Sequence, residues 1–318
     1  MVASLAAFDV DPARVSISGI SAGAFMAHQL HVAYSDVFCG AGLIAGGAYR
    51  VSQGTLIGAL VCGMKGHTAI PADVLAHAAQ TLAVRGRIAP LDNLKNDKVW
   101  VFHGACDDKV TAHSSETLIS FYRHFVPESA LAYVDNVPVV HAMPTDSFGS
   151  PALAKPRLPY IANCGYDAAG EMLTHLHGPL KSREFELKGE FRLFDQRPFL
   201  DFGVNQSMDT EGFLYVPSGA LAGRRCGVHV VLHGCRQHRH AVGDVFVRNA
   251  GFNEWAEAND IILVYPQARA QMDMRVYNPV AAWDFWGVED SDYALRSGRQ
   301  MKAVANMARA VSGQPLFT

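Results

Sequence analysis

The sequence predicts an α/β fold: a mostly parallel central sheet with helices on both faces. Three observations carry that expectation. Short apolar runs rich in Val and Ile alternate with helical patterns through both halves of the chain, which is how parallel strands and their crossover helices are laid out. A chain of 318 residues buries about three quarters of its unfolded surface, enough for a large core. Pro and Gly content never marks a clean linker, so residues 1–318 are read as one domain.

In the first half, "VSISG" from Val15 reads as a strand and "AGAFMAHQLHVAYS" as a helix. Strand "GAGLIAGG", a helix over Ala72–Val84, strand "KVWVFHG", a helix over Ser114–Phe125 and strand "LAYVDNV" follow. The stretch Pro144–Phe202 is richer in Pro, Gly and charge and reads as loops around a helix near Ala168–His177. Beyond it, "GFLYVP" and "GVHVVLHG" read as two strands, candidates for neighbours. Helix "FVRNAGFNEWAEAND", strand "IILVYPQ" and a terminal helix covering "DYALRSGRQMKAVANMARAVS" complete the pattern.

Composition excludes several classes. A net charge of -3 leaves no electrostatic footprint for nucleic acid. No apolar run reaches the roughly 18 residues of a membrane span. The N-terminus "MVASLAAFDV" lacks the basic region of an intact secretory leader. The six cysteines show no zinc-type spacing, so no metal is expected. Cys226 and Cys235 flank a strand whose extended length keeps them too far apart to bond.

The chemistry centres on "VSISGISAGAFMA". In G-x-S-x-G the chain turns from strand to helix within two residues, straining the serine and lifting its hydroxyl clear of the sheet. Gly19 and Gly23 are required because side chains there collide with neighbouring backbone, and the helix N-terminus behind Ser21 favours developing negative charge. Ser21 is therefore the candidate nucleophile. Such a serine needs a base, and the base an orienting carboxylate, in the chain order Ser, acid, His. "ACDDKV" after "KVWVFHG" offers Asp107 or its neighbour Asp108, and "VPVVHAMP" after "LAYVDNV" offers His141. His103 and His113 read as strand-end and helix-start residues, and His28 and His31 as packing or surface groups on the helix behind Ser21.

One oxyanion donor is the backbone N–H after the nucleophile, that of Ala22. The second normally comes from a His-Gly loop on an earlier strand, and no such strand precedes Ser21. "VHVVLHGCRQ" has the right form but lies far downstream. The chain thus reads as a circularly permuted α/β-hydrolase, cut before its nucleophile strand with the former N-terminal part moved to the end.

These residues resemble extracellular poly(3-hydroxybutyrate) depolymerases of the circularly permuted, single-domain type. The resemblance runs through "SISGISAGAFMAHQLHVAYSDVF", "AGGAYR", "GACDDKV", "VPVVHAMPTD", "NCGYDAAGEML", "HVVLHGC" and "AAWDFWG". It implies Ser21, Asp107 and His141 as triad, with Asp107 in the catalytic place of G-x-x-D-x-x-V. It also implies Ala22 and Cys235 as oxyanion donors, with Trp283, Trp286 and Tyr49 at an apolar substrate surface. The implied reaction is hydrolysis of a polyester or its oligoesters through an acyl-enzyme, with no cofactor, no metal and no separate substrate-binding domain. The implied home is secreted or periplasmic, the leader being absent from this chain. Ala282 stands where relatives of that type often carry a cysteine, which leaves Cys235 and Cys164 without their usual partners. The alternative reading is an esterase for feruloyl or acetyl groups or another polyester, and the non-enzyme reading is a hydrolase-like binding protein.

Overall fold

The computed structural model describes residues 4–66, 70–201, 207–274 and 276–318. Its central sheet has eight strands: β1 Val10–Ile20, β2 Gly40–Ile44, β3 Lys98–Phe102, β4 Leu131–Val134, β5 Glu190–Asp195, β6 Glu211–Val216, β7 Cys226–Leu232 and β8 Ile261–Tyr265. They lie in the order β4-β3-β2-β1-β7-β8-β6-β5. Pairing is parallel from β4 through to β8, then antiparallel between β8 and β6 and between β6 and β5. The first strand of the chain is therefore central, paired with β2 on one side and with β7 on the other.

The two-residue period of β1 assigns the helices to faces. A Cβ on Gly19 would lie 2.3 Å from the backbone of Gly23, so odd-numbered residues face helix α1, Ala22–Ala33. That helix is buried along its whole length, and its polar members His28, Gln29 and His31 each find a hydrogen-bond partner there. It packs against the terminal helix Arg299–Val311, which buries Met301, Val304, Ala305, Met307, Ala308 and Val311 at helical spacing. Ser16 and Ser18 point the other way. Ser16 meets His177 at the end of helix Ala168–His177, and that helix packs on helix Asn253–Asn259. Helices thus cover both faces.

Four local features differ from the sequence reading. The runs that became β6 and β7 are not neighbours, because β8 separates them. The helix expected over residues 246–260 breaks into Val245–Asn249 and Asn253–Asn259, with Gly251 between them at φ 86°. The terminal helix begins only at Arg299, after Gly298. Finally, β5 and three short strands, Met143–Thr145, Ser150–Pro151 and Ile161–Asn163, lie inside the stretch read as loops. The short ones offer too few residues for a period to be seen, and β5 is an edge strand whose charges hide its alternation.

Under the nucleophile strand lies a buried polar cluster. His229 on β7 holds Ser16 Oγ through Nδ1 at 2.7 Å and Ser18 Oγ through Nε2 at 2.7 Å, and His177 Nε2 reaches Ser16 Oγ at 2.9 Å. Burial keeps these rings neutral: it holds His229 well below the ordinary histidine value and brings His177 to about 4. His28 and His233 are likewise brought to about 3 by burial. Below pH ~6.5 the unfolded chain takes up protons on these four rings and the folded one does not, so folding is weakened as pH falls. Two carboxyls act in the opposite sense: burial raises Asp284 to about 6 and Glu289 to about 8. Imidazoles held neutral by burial outnumber the carboxyls held protonated by it, so unfolding takes up protons on balance near pH 5.5 and stability falls as pH falls. Urea midpoints are accordingly expected to drop steeply from pH 6.5 to pH 5, whereas a flat profile would contradict neutral buried rings.

Candidate active site

Ser21 ends β1 and caps α1 at φ 56° and ψ −125°. This left-handed conformation is costly for a residue with a side chain and is imposed by its surroundings. Its N–H donates to Ile44 of β2 at 2.9 Å, and its carbonyl accepts from Ala24 at 2.8 Å and Phe25 at 3.1 Å. The flanking glycines have a steric reason. A Cβ on Gly23 would lie 2.3 Å from the Leu232 carbonyl oxygen and 2.6 Å from that of His233. Only two bare Cα positions let the helix sit so tightly between β1 and β7.

The loops after β3 and β4 bring the acid and the imidazole to the same end of the sheet. His141 Nε2 lies 3.0 Å from Ser21 Oγ, and His141 Nδ1 lies 2.6 Å from Asp107 Oδ2. The other Asp107 oxygen accepts the N–H groups of Lys109 at 2.8 Å and Val110 at 3.1 Å. The Asp107 side chain is 2 % exposed. Its competitor Asp108 is 74 % exposed and pairs with Lys109. Of the two acids, Asp107 alone is in contact with the imidazole. His103 is buried at the end of β3 with Nδ1 unpartnered among the described residues, and burial lowers its affinity for protons.

The loop after β7 supplies the remaining wall. His233 is fully enclosed and neutral. Its Nε2 accepts the Ala268 N–H at 3.1 Å, so the proton sits on Nδ1, which donates to the Gly234 carbonyl at 2.8 Å. Because a peptide is planar and trans, fixing the Gly234 carbonyl directs the Cys235 N–H the opposite way. Among the described residues that N–H meets no acceptor. The Ala22 N–H opens α1, where intrahelical acceptors are absent by geometry. Gln237 braces this loop: its Oε1 accepts the Gly234 N–H at 2.7 Å, and its Nε2 donates to the carbonyls of Pro159 and Tyr160 at 2.9 and 3.2 Å.

In front of Ser21 and His141 opens a cavity of about 470 Å³, whose wall includes Met64, Tyr160, Cys235 and Val280. It is of the size that takes a small organic ligand. Trp283 and Tyr49 lie in the core and not at this cavity, which corrects the expectation for these two. Trp283 is fully buried and donates its indole N–H to the His233 carbonyl at 2.9 Å. Tyr49 is fully buried and donates to the Ala294 carbonyl at 2.6 Å. Trp286 packs edge-on against Phe285, which stacks on Phe25 of α1. The sequence reading passed over His233 and Gln237. The first was visible in "LHGC", and the second carried no signal beyond its place three residues after Gly234.

All six cysteines are free thiols, and Cys235 is held protonated by burial, which pushes it up to about 11. Among the described residues no group of His, Cys, Asp and Glu could hold a metal ion. No helix among them is long and apolar enough to cross a membrane.

No family model matches the sequence. The chain is 38% identical over 314 residues to a poly(3-hydroxybutyrate) depolymerase of Delftia acidovorans, covering 97% of this chain and 62% of that one. It is 34% identical over 320 residues to a polyhydroxybutyrate depolymerase of Talaromyces funiculosus, covering 97% of this chain and 92% of the relative. Among solved structures it is similar to the PHB depolymerase from Penicillium funiculosum, with a TM-score of 0.89, 32% identity, and 98% and 99% of the two chains covered. A PHB depolymerase carrying a serine-to-alanine substitution and complexed with an R3HB trimer matches equally, with a TM-score of 0.89.

Proposed function

The chain belongs to the poly(3-hydroxybutyrate) depolymerase family, and from that premise we propose that it hydrolyses ester bonds of poly(3-hydroxybutyrate) and its oligomers through an acyl-enzyme on Ser21. The observation that carries this reading is the unbroken hydrogen-bond chain from Asp107 through His141 to Ser21 at the mouth of an apolar-walled cavity.

His141 accepts the Ser21 proton through Nε2 as Oγ attacks the ester carbonyl carbon. Asp107, held by two backbone N–H groups, keeps Nδ1 protonated and stabilises the imidazolium that forms. The N–H groups of Ala22 and Cys235 receive the oxyanion, each worth about 3 kcal/mol in the transition state. His141 then gives its proton to the departing alkoxide oxygen, releasing the alcohol end of the cleaved chain. Water, deprotonated by the same Nε2, attacks the acyl-serine, and collapse returns the proton to Oγ and frees the acid. His233, Gln237 and Trp283 hold the Cys235 peptide in place and touch no reacting atom.

We read the strand order as that of an α/β-hydrolase in permuted sequence: β5 to β8 take the place of the leading strands, and β1 that of the nucleophile strand. One catalytic unit follows from that reading, since β1 needs β7 beside it. A secreted or periplasmic setting fits a polymeric substrate. The test is a panel comparing (R)-3-hydroxybutyrate trimer, p-nitrophenyl butyrate and methyl ferulate. The trimer is expected to show the highest kcat/KM, and faster turnover of the ferulate would replace this reading with that of an aromatic-ester hydrolase.

A further inference from the structure

The cavity before Ser21 has mainly apolar walls and a cationic rim. Lys109, Lys155 and Arg236 line it together with one carboxylate, that of Asp108. Asp108 is already neutralised: Lys109 Nζ lies 3.3 Å from its carboxylate, and Lys65 Nζ donates to its carbonyl. Lys155 and Arg236 are exposed and have no side-chain partner among the described residues. On a chain of net charge -3 this is a local reversal of sign, placed where the substrate must enter. Arg236 also directly follows the Cys235 peptide and stands at φ 62°, a conformation that glycine or asparagine adopts at lower cost. Its N–H is fixed on the Val280 carbonyl at 2.8 Å. Strain of this kind concentrates where a side chain must be presented to a ligand.

The ester groups inside a polyester carry no formal charge, so cations at the rim have nothing to pair with along the polymer interior. A hydroxyalkanoate chain is ionic only at its carboxyl end. We propose that Lys155 and Arg236 bind the terminal carboxylate of short hydroxyalkanoate oligomers, so that the site selects carboxylate-ended oligoesters over neutral esters of the same length. This rests on the ester-hydrolase reading above. It follows that a free 3-hydroxyacid, itself a carboxylate, competes for the same two cations.

The test compares kcat/KM for the (R)-3-hydroxybutyrate trimer as its free acid and as its C-terminal primary amide, in wild type and in Lys155→Gln/Arg236→Gln. The wild type is expected to favour the acid by about tenfold at low salt, with the preference eroding in 0.5 M NaCl as the rim charges are screened. In the double variant the acid-to-amide ratio falls towards one, while Lys155→Arg retains it. A wild-type ratio near one, or a ratio unchanged in the double variant, overturns the assignment. If neither trimer is cleaved while p-nitrophenyl butyrate is, the polyester reading fails, and inhibition of p-nitrophenyl butyrate turnover by 3-hydroxybutyrate then reads the two cations alone. Inhibition that weakens in the double variant sustains the carboxylate site, and equal inhibition of both proteins refutes it.

Discussion

Ser21→Ala is expected to lower kcat on the (R)-3-hydroxybutyrate trimer by about 10⁶-fold, with little change in melting temperature. The magnitude follows from the loss of Ser21 Oγ, which lies 3.0 Å from His141 Nε2. Without Oγ no acyl-enzyme forms, and what remains is positioning by the cavity together with the amides of Ala22 and Cys235. Stability is unaffected for a separate reason. Ser21 is held in its left-handed conformation by the Ile44 carbonyl and the first turn of α1, and an alanine meets the same backbone demands. A variant retaining more than about a thousandth of the activity would place the nucleophile elsewhere. Trapping with a fluorophosphonate, followed by mapping of the labelled peptide, would then identify it.

Asp107→Asn is expected to reduce kcat by about 10⁴-fold, against a change of less than about threefold for Asp108→Asn. Asp107 Oδ1 accepts from the N–H groups of Lys109 and Val110. An asparagine placed there keeps its carbonyl on those donors and turns its NH₂ toward His141. Nδ1 must then accept, the ring proton moves to Nε2, and the imidazole can no longer take a proton from Ser21. The backbone contacts survive, so the loss appears in kcat rather than in folding. Among the described residues the Asp108 carboxylate pairs with Lys109, and its removal leaves the imidazole untouched. Equal losses in the two variants would mean that the loop after β3, and not one carboxylate, is what matters.

The sequence disclosed those parts of the molecule that obey strong local rules. Gly19 and Gly23 were readable because no other residue fits where a Cβ would fall 2.3 Å from backbone atoms. Asp107 and His141 were readable because each follows an apolar run, and parallel strands deliver the loops behind them to one end of the sheet. The ordering of β6, β8 and β7 was not readable, since adjacent apolar runs look alike wherever they pair. Trp283 misled for a related reason. An indole serves a core or a surface equally well, and nothing in "AAWDFWG" reveals that Trp283 turns inward to the His233 carbonyl. Lys155, Tyr160 and Arg236 come from aperiodic loops, and only folding makes them neighbours at one cavity.

The pairing of β1 with β7 has a consequence for how the protein is made. Ser16 and His229, in direct contact, are 213 positions apart in the chain. During synthesis the nucleophile segment leaves the ribosome long before the carbonyls of Leu232 and His233 against which Gly23 seats, and before the amide of Cys235. A nascent chain therefore remains catalytically silent until the segment through Cys235 has emerged and paired with β1. The long closure makes acquisition of activity a late and comparatively slow event in biogenesis.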